Sequence, residues 1–377
     1  MRALAAIGIV LLLAGCGGSA QRERPGLQRT VDSLVTGPRR LAPGVTAFVS
    51  GPHGTWSGSA GWADVTKQVR MTPDARLRLE SVSKLWTATV LAKLATERKL
   101  SLDDTVARWL PGLFPYGNLI TIRELLNHTS GMVDNNDFDQ RPQFWLGQIH
   151  DRALRAELLA TAAEIEEDRA HVYPTMLLIR AAAALPLQFD PATSYHYSNI
   201  GYETAGVIAE RAADEGLADL YRRIIIDPLG LKSAAYAPHG PIPGPHPVGY
   251  VVRRDGTTIA ATRWDAGGLA AEGAIVVNAR DEARFLVALV RGEIVPPAML
   301  AQMLAGSGPN PSYGLGTVVE RTCAGKTLSH NGGGASWTSS VAVSVDGSRV
   351  AVLLLNGRRA GDIGDPRPAL LKLFCAA

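Results

Sequence analysis

The sequence Ser81-Val82-Ser83-Lys84 places a hydroxyl and an amine three positions apart in a segment with helical apolar spacing. Residues i and i+3 share a helix face, so the Lys84 amine would lie one turn from the Ser81 hydroxyl. A serine hydroxyl is a poor nucleophile until a base removes its proton, and a buried lysine can be that base. For an isolated motif a helix-capping serine is the better interpretation, so an activated Ser81 needs partners elsewhere in the chain.

A second motif, Tyr197-Ser198-Asn199, lies just before a helical segment. The Tyr197 phenol would be a second acid or base near Ser81. The Asn199 amide can hold the Lys84 amine and a substrate carbonyl. The motif therefore supplies the type of partner that Ser81 requires.

A third motif, His330-Asn331-Gly332, is followed by Gly333 at the predicted start of a strand. Glycines at such a position let a substrate approach the backbone closely, and their free N–H groups can form half of an oxyanion hole. A lone histidine there is better explained as a turn residue. With the two other motifs present in order, we interpret His330 as part of a site.

Strand-like segments lie at both ends of the chain, and helical segments lie between them. Residues 45–50 and 55–64 alternate around a turn, and residues 339–345 and 349–356 are joined by Asp346-Gly347, a strong hairpin signal. Residues 140–185 are Ala-rich and helical in pattern. The order predicts a sheet built from both chain ends with a helical region inserted.

The motifs SVSK, YSN and HNG, in this order, resemble those of the penicillin-recognising serine hydrolases, which include class C β-lactamases, D-Ala-D-Ala carboxypeptidases and related esterases. Connecting segments such as ITIRELLNHTSGM and FDPATSYHYSNIGYETAGVIAE extend the resemblance over residues 42–374, whereas residues 134–184 do not resemble any member. Within this family, the sequence most resembles the secreted D-Ala-D-Ala carboxypeptidases. The resemblance implies an α/β (α+β) β-lactamase/transpeptidase-like fold, with an antiparallel sheet flanked by helices, a helical subdomain at about 131–250, and the active site between them.

The resemblance also implies residue roles. Ser81 would be the acylated nucleophile and Lys84 its base, with Tyr197 sharing proton transfer to the leaving group; which of the two takes the first proton stays open. Asn199 would hold Lys84 and the substrate amide, and His330 would supply a polar group at the strand edge. The oxyanion hole would be the N–H groups of Ser81 and Gly333. The candidate substrate contacts are Asn331, Gly332 and Arg321.

The expected function is a serine-type D-Ala-D-Ala carboxypeptidase that acts on peptidoglycan stem peptides. A β-lactamase or a small-ester hydrolase with the same residues is the alternative. A non-catalytic penicillin- or peptidoglycan-binding lipoprotein is a third, less favoured because a dead site has no reason to keep all five catalytic side chains. An α/β-hydrolase is excluded because the chain has no G-x-S-x-G sequence.

Composition excludes several other classes. The 377 residues are 46% hydrophobic and 19% charged, which is typical of a globular protein. The formal net charge is only +3, and this balance gives no argument for nucleic-acid binding. The 8 histidines are scattered, and the chain lacks C-x-x-C and H-E-x-x-H. We therefore expect no metal and no cofactor, and we expect a monomer.

The first 16 residues resemble an export signal. Residues 3–13 are apolar but shorter than the roughly 20 residues of a spanning helix, and they lead into Leu13-Ala14-Gly15-Cys16, a bacterial lipobox. We expect a signal peptide at 1–16, lipidation at Cys16, a tether at 17–30 and a hydrolase domain at 31–377. The lipid would hold the protein at the extracytoplasmic face of a bacterial membrane.

Two other cysteines remain, Cys323 and Cys375. In an exported chain, two leftover thiols are better explained by a disulfide than by a metal site. We therefore expect these two residues to be bonded to each other.

Overall fold

The computed structural model describes residues 24–37, 40–135, 142–238, 242–264, 270–359 and 365–377. The predicted signal peptide and Cys16 lie outside these ranges. Within them, no helix combines the length and the apolar character that crossing a membrane requires.

The strands, in chain order, are β1 (Gly44–Gly51), β2 (Gly54–Asp64), β3 (Val69–Arg70), β4 (Arg76–Arg78), β5 (Ala235–Tyr236), β6 (Tyr250–Val252), β7 (Thr258–Ala260), β8 (Ile275–Asn278), β9 (Val318–Thr322), β10 (Gly325–Gly333), β11 (Thr338–Ser344), β12 (Val350–Leu355) and β13 (Gly357–Arg359). The α-helices are α1 (Pro25–Asp32), α2 (Ser83–Thr96), α3 (Val106–Trp109), α4 (Ile122–Leu126), α5 (Pro142–Gln148), α6 (Arg152–Glu167), α7 (Thr175–Ala183), α8 (Asn199–Ala213), α9 (Leu217–Tyr221), α10 (Asp227–Leu229), α11 (Ala279–Val290), α12 (Pro297–Met303) and α13 (Arg367–Cys375). A 3₁₀ turn (Glu80–Val82) precedes α2, and a π-helical turn (Arg222–Ile226) follows α9.

A seven-stranded antiparallel sheet joins the two ends of the chain, in the order β3-β2-β1-β12-β11-β10-β9. This is the predicted sheet, and both predicted hairpins are present. Strand β10 extends beyond β9, because the last pair between them joins Ser329 to Val318. The part of β10 that carries the third motif therefore has an edge that β9 does not cover.

Both faces of the sheet are covered, which explains why every residue of β12 is buried. Alternate residues of a strand point to opposite faces. Leu353 and Leu355 pack with α1 and α13, whereas Val352 and Leu354 join the large core that contains α2 and α11. Helix α2 is buried along most of its length, so it forms the centre of the molecule rather than its surface.

The structure corrects two boundaries. The predicted tether at 17–30 is too long, because α1 begins at Pro25 and buries Leu27 and Val31 against the sheet. His330 does not begin a strand but lies within β10, five residues after Gly325. Helices α5, α6 and α7 occupy the predicted helical segment at 140–185.

A disulfide links Cys323 and Cys375, as the sequence analysis predicted. Cys323 lies in the turn between β9 and β10, and Cys375 ends α13. The bond therefore ties the hairpin of β9 and β10 to the helix that covers the sheet.

Candidate active site

The nucleophile and its proposed base come from one continuous segment. Ser81 lies in the 3₁₀ turn, and Lys84 lies in the first turn of α2. The Lys84 Nζ is 3.2 Å from the Ser81 Oγ, as the i, i+3 spacing predicts. The preceding residue, Glu80, has a φ of 52°, a left-handed conformation that costs a non-glycine residue about 1–3 kcal/mol. The local fold is thus strained immediately before the nucleophile.

Lys84 is fully buried and surrounded by oxygen atoms. Its ammonium donates hydrogen bonds to the Asn199 Oδ1 at 2.6 Å and to the Glu272 Oε2 at 2.7 Å, and it lies 3.3 Å from the Glu272 backbone oxygen. Lys84 and Glu272 form an ion pair with side-chain exposures of 0% and 8%. The Asn199 contact is the one that the sequence predicts.

Glu272 is a site residue that the motif analysis missed. It lies on the segment just before β8, far from all three motifs in the sequence. The available signal was weak: a single acidic residue within the small, apolar run 270–274. Such a residue needs a partner if it is buried, but the sequence does not identify Lys84 as that partner.

Tyr197 completes the group around the nucleophile. Its phenol shares a hydrogen bond with Ser81, and its ring centroid is 4.9 Å from the Lys84 Nζ. Burial and the negative charges of Glu272 and Asp134 raise the pKa of Tyr197 well above its usual value. Tyr197 is therefore a neutral phenol at physiological pH, able to donate a proton to a leaving group.

The start of α8 places Tyr197 and Asn199. The Ser198 hydroxyl caps the helix by accepting from the Gly201 N–H at 3.1 Å, and it donates to the Val133 carbonyl at 2.8 Å. The Asn199 N–H donates to the Asp134 carboxylate at 2.8 Å. The helix entry is thereby fixed to the loop after α4, so the Asn199 amide faces Lys84.

His330 belongs to a buried chain of hydrogen bonds. The His128 Nδ1 accepts from the Ser198 N–H at 3.1 Å, so its Nε2 carries the proton and donates to the Tyr313 hydroxyl at 3.1 Å. The Tyr313 hydroxyl in turn donates to the His330 Nε2 at 3.0 Å. The His330 Nδ1 then donates to the Asn331 carbonyl at 2.7 Å. His128 and Tyr313 were not predicted, although His128 lies in a segment that carries the family resemblance.

This environment keeps His330 uncharged. Burial, followed by the charge of Lys84, lowers the pKa of His330 to about 4. At neutral pH the imidazole is therefore polar but neutral. It orders the strand next to the nucleophile and supplies no positive charge there.

The register of β10 places the predicted oxyanion-hole groups. The Gly334 N–H bonds the Trp337 carbonyl at 3.1 Å, and Gly333 faces Thr338 in the next position of the ladder. In an antiparallel pair, hydrogen-bonded and non-hydrogen-bonded positions alternate, so the Gly333 N–H points to the uncovered edge. Gly332 lies directly against the nucleophile, because a Cβ there would be 3.0 Å from the Ser81 nitrogen.

The predicted substrate contacts are only partly brought together. The predicted role of Arg321 as a substrate contact is not supported. Arg321 pairs with Lys326, which is four residues before His330 and therefore about 13 Å from it along β10. Asn331 is exposed at the edge, and its Oδ1 accepts from the Ser340 hydroxyl at 2.5 Å. A different cation lies nearby, since the half-buried Arg358 donates to the Gly334 carbonyl at 2.9 Å.

Among the residues that the structure describes, no group of three or more His, Cys, Asp or Glu side chains has the arrangement of a metal site. The cluster has the groups that nucleophilic catalysis by a serine requires, and a lysine and a tyrosine lie within reach for proton transfer.

Comparisons with known proteins agree with this chemistry. A family model described as "Beta-lactamase" matches residues 27–374. Penicillin-binding protein 4* of Bacillus subtilis is 25% identical over 356 residues, which cover 89% of this chain and 72% of that protein. Esterase EstB of Burkholderia gladioli is 30% identical over 210 residues, covering 52% of this chain and 48% of the esterase. A D-stereospecific amidohydrolase from Streptomyces sp. has a similar structure, with a TM-score of 0.77, 26% identity and coverage of 94% and 99% of the two chains.

Proposed function

Because this chain belongs to the β-lactamase family of serine hydrolases, we propose that Ser81 forms an acyl-enzyme with substrates in which a D-amino acid supplies the acyl group. The observation that supports this most strongly is the cluster of Ser81, Lys84, Tyr197 and Asn199 beside the uncovered edge of β10. The preference for D-amino acids is supported by the likeness to the Streptomyces amidohydrolase.

The geometry suggests how the reaction proceeds. A peptide-like substrate adds to the free edge of β10 as an extended strand. Its carbonyl oxygen lies between the N–H groups of Ser81 and Gly333, and the Ser81 Oγ attacks the carbonyl carbon. The neutral Tyr197 phenol donates a proton to the departing nitrogen, and water then hydrolyses the ester on Ser81.

The leaving group is the point on which a carboxypeptidase and an amidase differ. A carboxypeptidase needs a positive charge for the terminal carboxylate, but His330 is neutral and Arg321 is remote. We therefore propose that uncharged leaving groups, as in D-amino-acid amides or internal peptide bonds, are the preferred class. A D-Ala-D-Ala carboxypeptidase is the second candidate, favoured by Arg358, whose guanidinium lies against Gly333 and Gly334.

Two matched peptides separate these candidates. The first is N-acetyl-Lys-D-Ala-D-Ala with a free carboxylate, and the second is the same peptide with a terminal carboxamide. We expect kcat/KM for the carboxamide to equal or exceed that for the carboxylate. The reverse order would favour the carboxypeptidase, and equal cleavage of the all-L peptides would contradict the proposed D-amino-acid class.

Nitrocefin and p-nitrophenyl butyrate, assayed beside the peptides, test the β-lactamase and esterase alternatives. Ser81→Ala is the control for every substrate, because it removes the nucleophile. Activity that survives Ser81→Ala would refute the acyl-enzyme itself. A wild-type protein that is inert toward all four substrate types would favour the binding-protein alternative.

We also propose that the protein is exported and held at the extracytoplasmic face of a membrane by a lipid on Cys16. The lipobox sequence at residues 13–16 supports this, as does the disulfide, which is typical of an oxidising compartment. A peptidoglycan stem peptide would be within reach of an enzyme anchored there.

A further inference from the structure

The ion pair between Lys84 and Glu272 raises a question about proton transfer. Lys84 must present a lone pair to the Ser81 hydroxyl, but an ammonium has none. Its two shortest contacts, at 2.6 Å to Asn199 and 2.7 Å to Glu272, each use one of the three ammonium protons. Two acceptors remain for the third proton, the Glu272 carbonyl and the Ser81 Oγ, which lie 3.3 Å and 3.2 Å from the Lys84 Nζ.

The other candidate base is no more ready. The Tyr197 phenol is neutral, because burial and nearby negative charges disfavour its phenolate. The resting site therefore holds two protonated candidate bases next to one nucleophile. Acylation requires a group that can take a proton out of this pair, and the Glu272 carboxylate is in direct contact with Lys84.

The protein fixes the backbone that carries Glu272. The buried Glu203 carboxyl group, on α8, accepts hydrogen bonds from the N–H groups of Ala270, Ala271 and Glu272 at 3.0, 3.3 and 3.2 Å, and burial raises its pKa to about 8. Glu203 lies one turn after Asn199 in the same helix. One helix thus positions both acceptors of the Lys84 ammonium, the Asn199 amide directly and the Glu272 carboxylate through Glu203.

We propose that Glu272 is the proton acceptor that makes Lys84 a base during acylation. A Lys84 N–H bond breaks and an O–H bond forms on the Glu272 Oε2, which converts the ion pair into an amine and a carboxylic acid. The amine then takes the Ser81 proton as the Ser81 Oγ bonds the substrate carbon. When the leaving nitrogen takes a proton from Tyr197, Lys84 reprotonates the phenolate, and Glu272 returns its proton to Lys84.

Glu272 is a positioning residue by this account, since it acts on Ser81 only through Lys84. The inference rests on acyl-enzyme formation at Ser81 and does not depend on the substrate class. The titratable groups around the pair are Tyr195, Tyr197, Tyr202, Asp134, Glu203, His128 and His330, and the Asn199 amide also faces it. Both histidines are neutral at pH 7, because burial and the Lys84 charge lower their pKa values.

The test measures acylation of Ser81 against pH, from pH 5 to 10, using a fluorescent penicillin and the burst of p-nitrophenyl acetate. Glu272→Gln keeps the shape and an acceptor oxygen but cannot take a proton. We expect acylation at pH 7 to fall at least ~10²-fold, the low end for loss of a general base. We also expect its rate to depend on pH more steeply than that of wild type, because Lys84 must then lose its proton to water.

Two further variants control this result. Glu272→Asp keeps a carboxylate at a longer distance, so it should be slower than wild type with an unchanged pH profile. Glu282→Gln makes the same change at another fully buried glutamate, which bonds Trp86 on the opposite side of α2 from the site chemistry and does not touch Lys84. It should acylate at the wild-type rate.

Three results would overturn the inference. The first is a Glu272→Gln rate within twofold of wild type, and the second is a rate lowered by one constant factor at every pH, which indicates a structural role only. The third applies if Glu272→Gln does not fold: it is a Ser81 acylation rate in Glu272→Asp equal to that of wild type. If no probe acylates Ser81 in the wild-type protein, the proposed function itself is refuted. That outcome is distinguishable from the three above, in which wild-type Ser81 is acylated.

Discussion

Gly332 offers a direct test of the oxyanion hole, because it separates the catalytic strand from the nucleophile. In Gly332→Ala the new Cβ would lie 2.2 Å from the Leu79 carbonyl and 3.0 Å from the Ser81 nitrogen. Ordinary van der Waals contact begins at 3.4 Å, so β10 and the Leu79 carbonyl just before the 3₁₀ turn must separate by about 1.2 Å. A displacement of about 1 Å at a reacting group can cost ~10² in rate, and loss of one oxyanion donor costs ~10²–10³, or about 2.7–4 kcal/mol.

The neighbouring residue supplies the matched control. A Cβ on Gly333 would meet only the Arg358 guanidinium, at 3.7 Å, which is an ordinary contact. We expect the acylation rate of Gly332→Ala, measured with a fluorescent penicillin or a p-nitrophenyl ester, to fall at least ~10²-fold. Gly333→Ala keeps the N–H of the predicted oxyanion hole and adds only this ordinary contact, so its rate should fall much less than that of Gly332→Ala. Equal rates in the two variants would refute the packing of β10 against Ser81 as the basis of the oxyanion hole.

Four more outcomes follow from the sequence and the structure. Lys84→Arg keeps the charge but removes the base, so acylation should drop at least ~10²-fold; a near-normal rate would assign the role to Tyr197. Replacing Cys323 and Cys375 by serine removes a crosslink between residues 52 positions apart in the sequence. This should lower the free energy of unfolding, measured in urea, by about 4 kcal/mol, and no change would contradict the chain-entropy argument. Burial raises the pKa of Glu282 to about 8. The folded state then binds more protons than the unfolded state, so stability falls as pH rises from about 4.5 through 8, and Glu282→Gln should lose less stability than wild type between pH 5 and pH 9. Cys16→Ser should release the protein from membranes with its hydrolase activity intact, and continued sedimentation with membranes would show that the lipobox interpretation is wrong.

Local pattern predicted the hairpins and the layout of the sheet because alternation and turn chemistry act over a few residues. The pairing of β1 with β2 and of β11 with β12 follows from such signals. The start of α1 was missed, since Pro25 and Gly26 suggest a linker although proline is favoured in the first turn of a helix. The helix is stabilised by the packing of Leu27 and Val31 against the sheet, which local sequence pattern does not reveal.

In the candidate site, too, contacts that helix periodicity or a motif indicates were predictable, whereas a contact that depends on the packing of distant segments was not. The contact between Ser81 and Lys84 follows from helix periodicity, and the Asn199 contact from the motif. Glu272 could not be found in this way, because its link to Lys84 depends on how the segment before β8 packs. The misplacement of Arg321 has a related cause: nearness in sequence to His330 does not give nearness in space once the hairpin register is fixed.

The pairing of β1 with β12, in the middle of the seven-stranded sheet, affects the order in which the protein folds. Val45 in β1 pairs with Leu355 in β12, so the two halves of the sheet join only across nearly the whole domain. Contacts between such distant segments form late, and they slow folding because a very long loop must close first. Until β12 is in place, the inner edge of β1 is open to other strands, which is an aggregation hazard for a nascent chain. The same late event joins β10, β11 and β12 to β1, so we expect the complete site to form only when folding is almost complete.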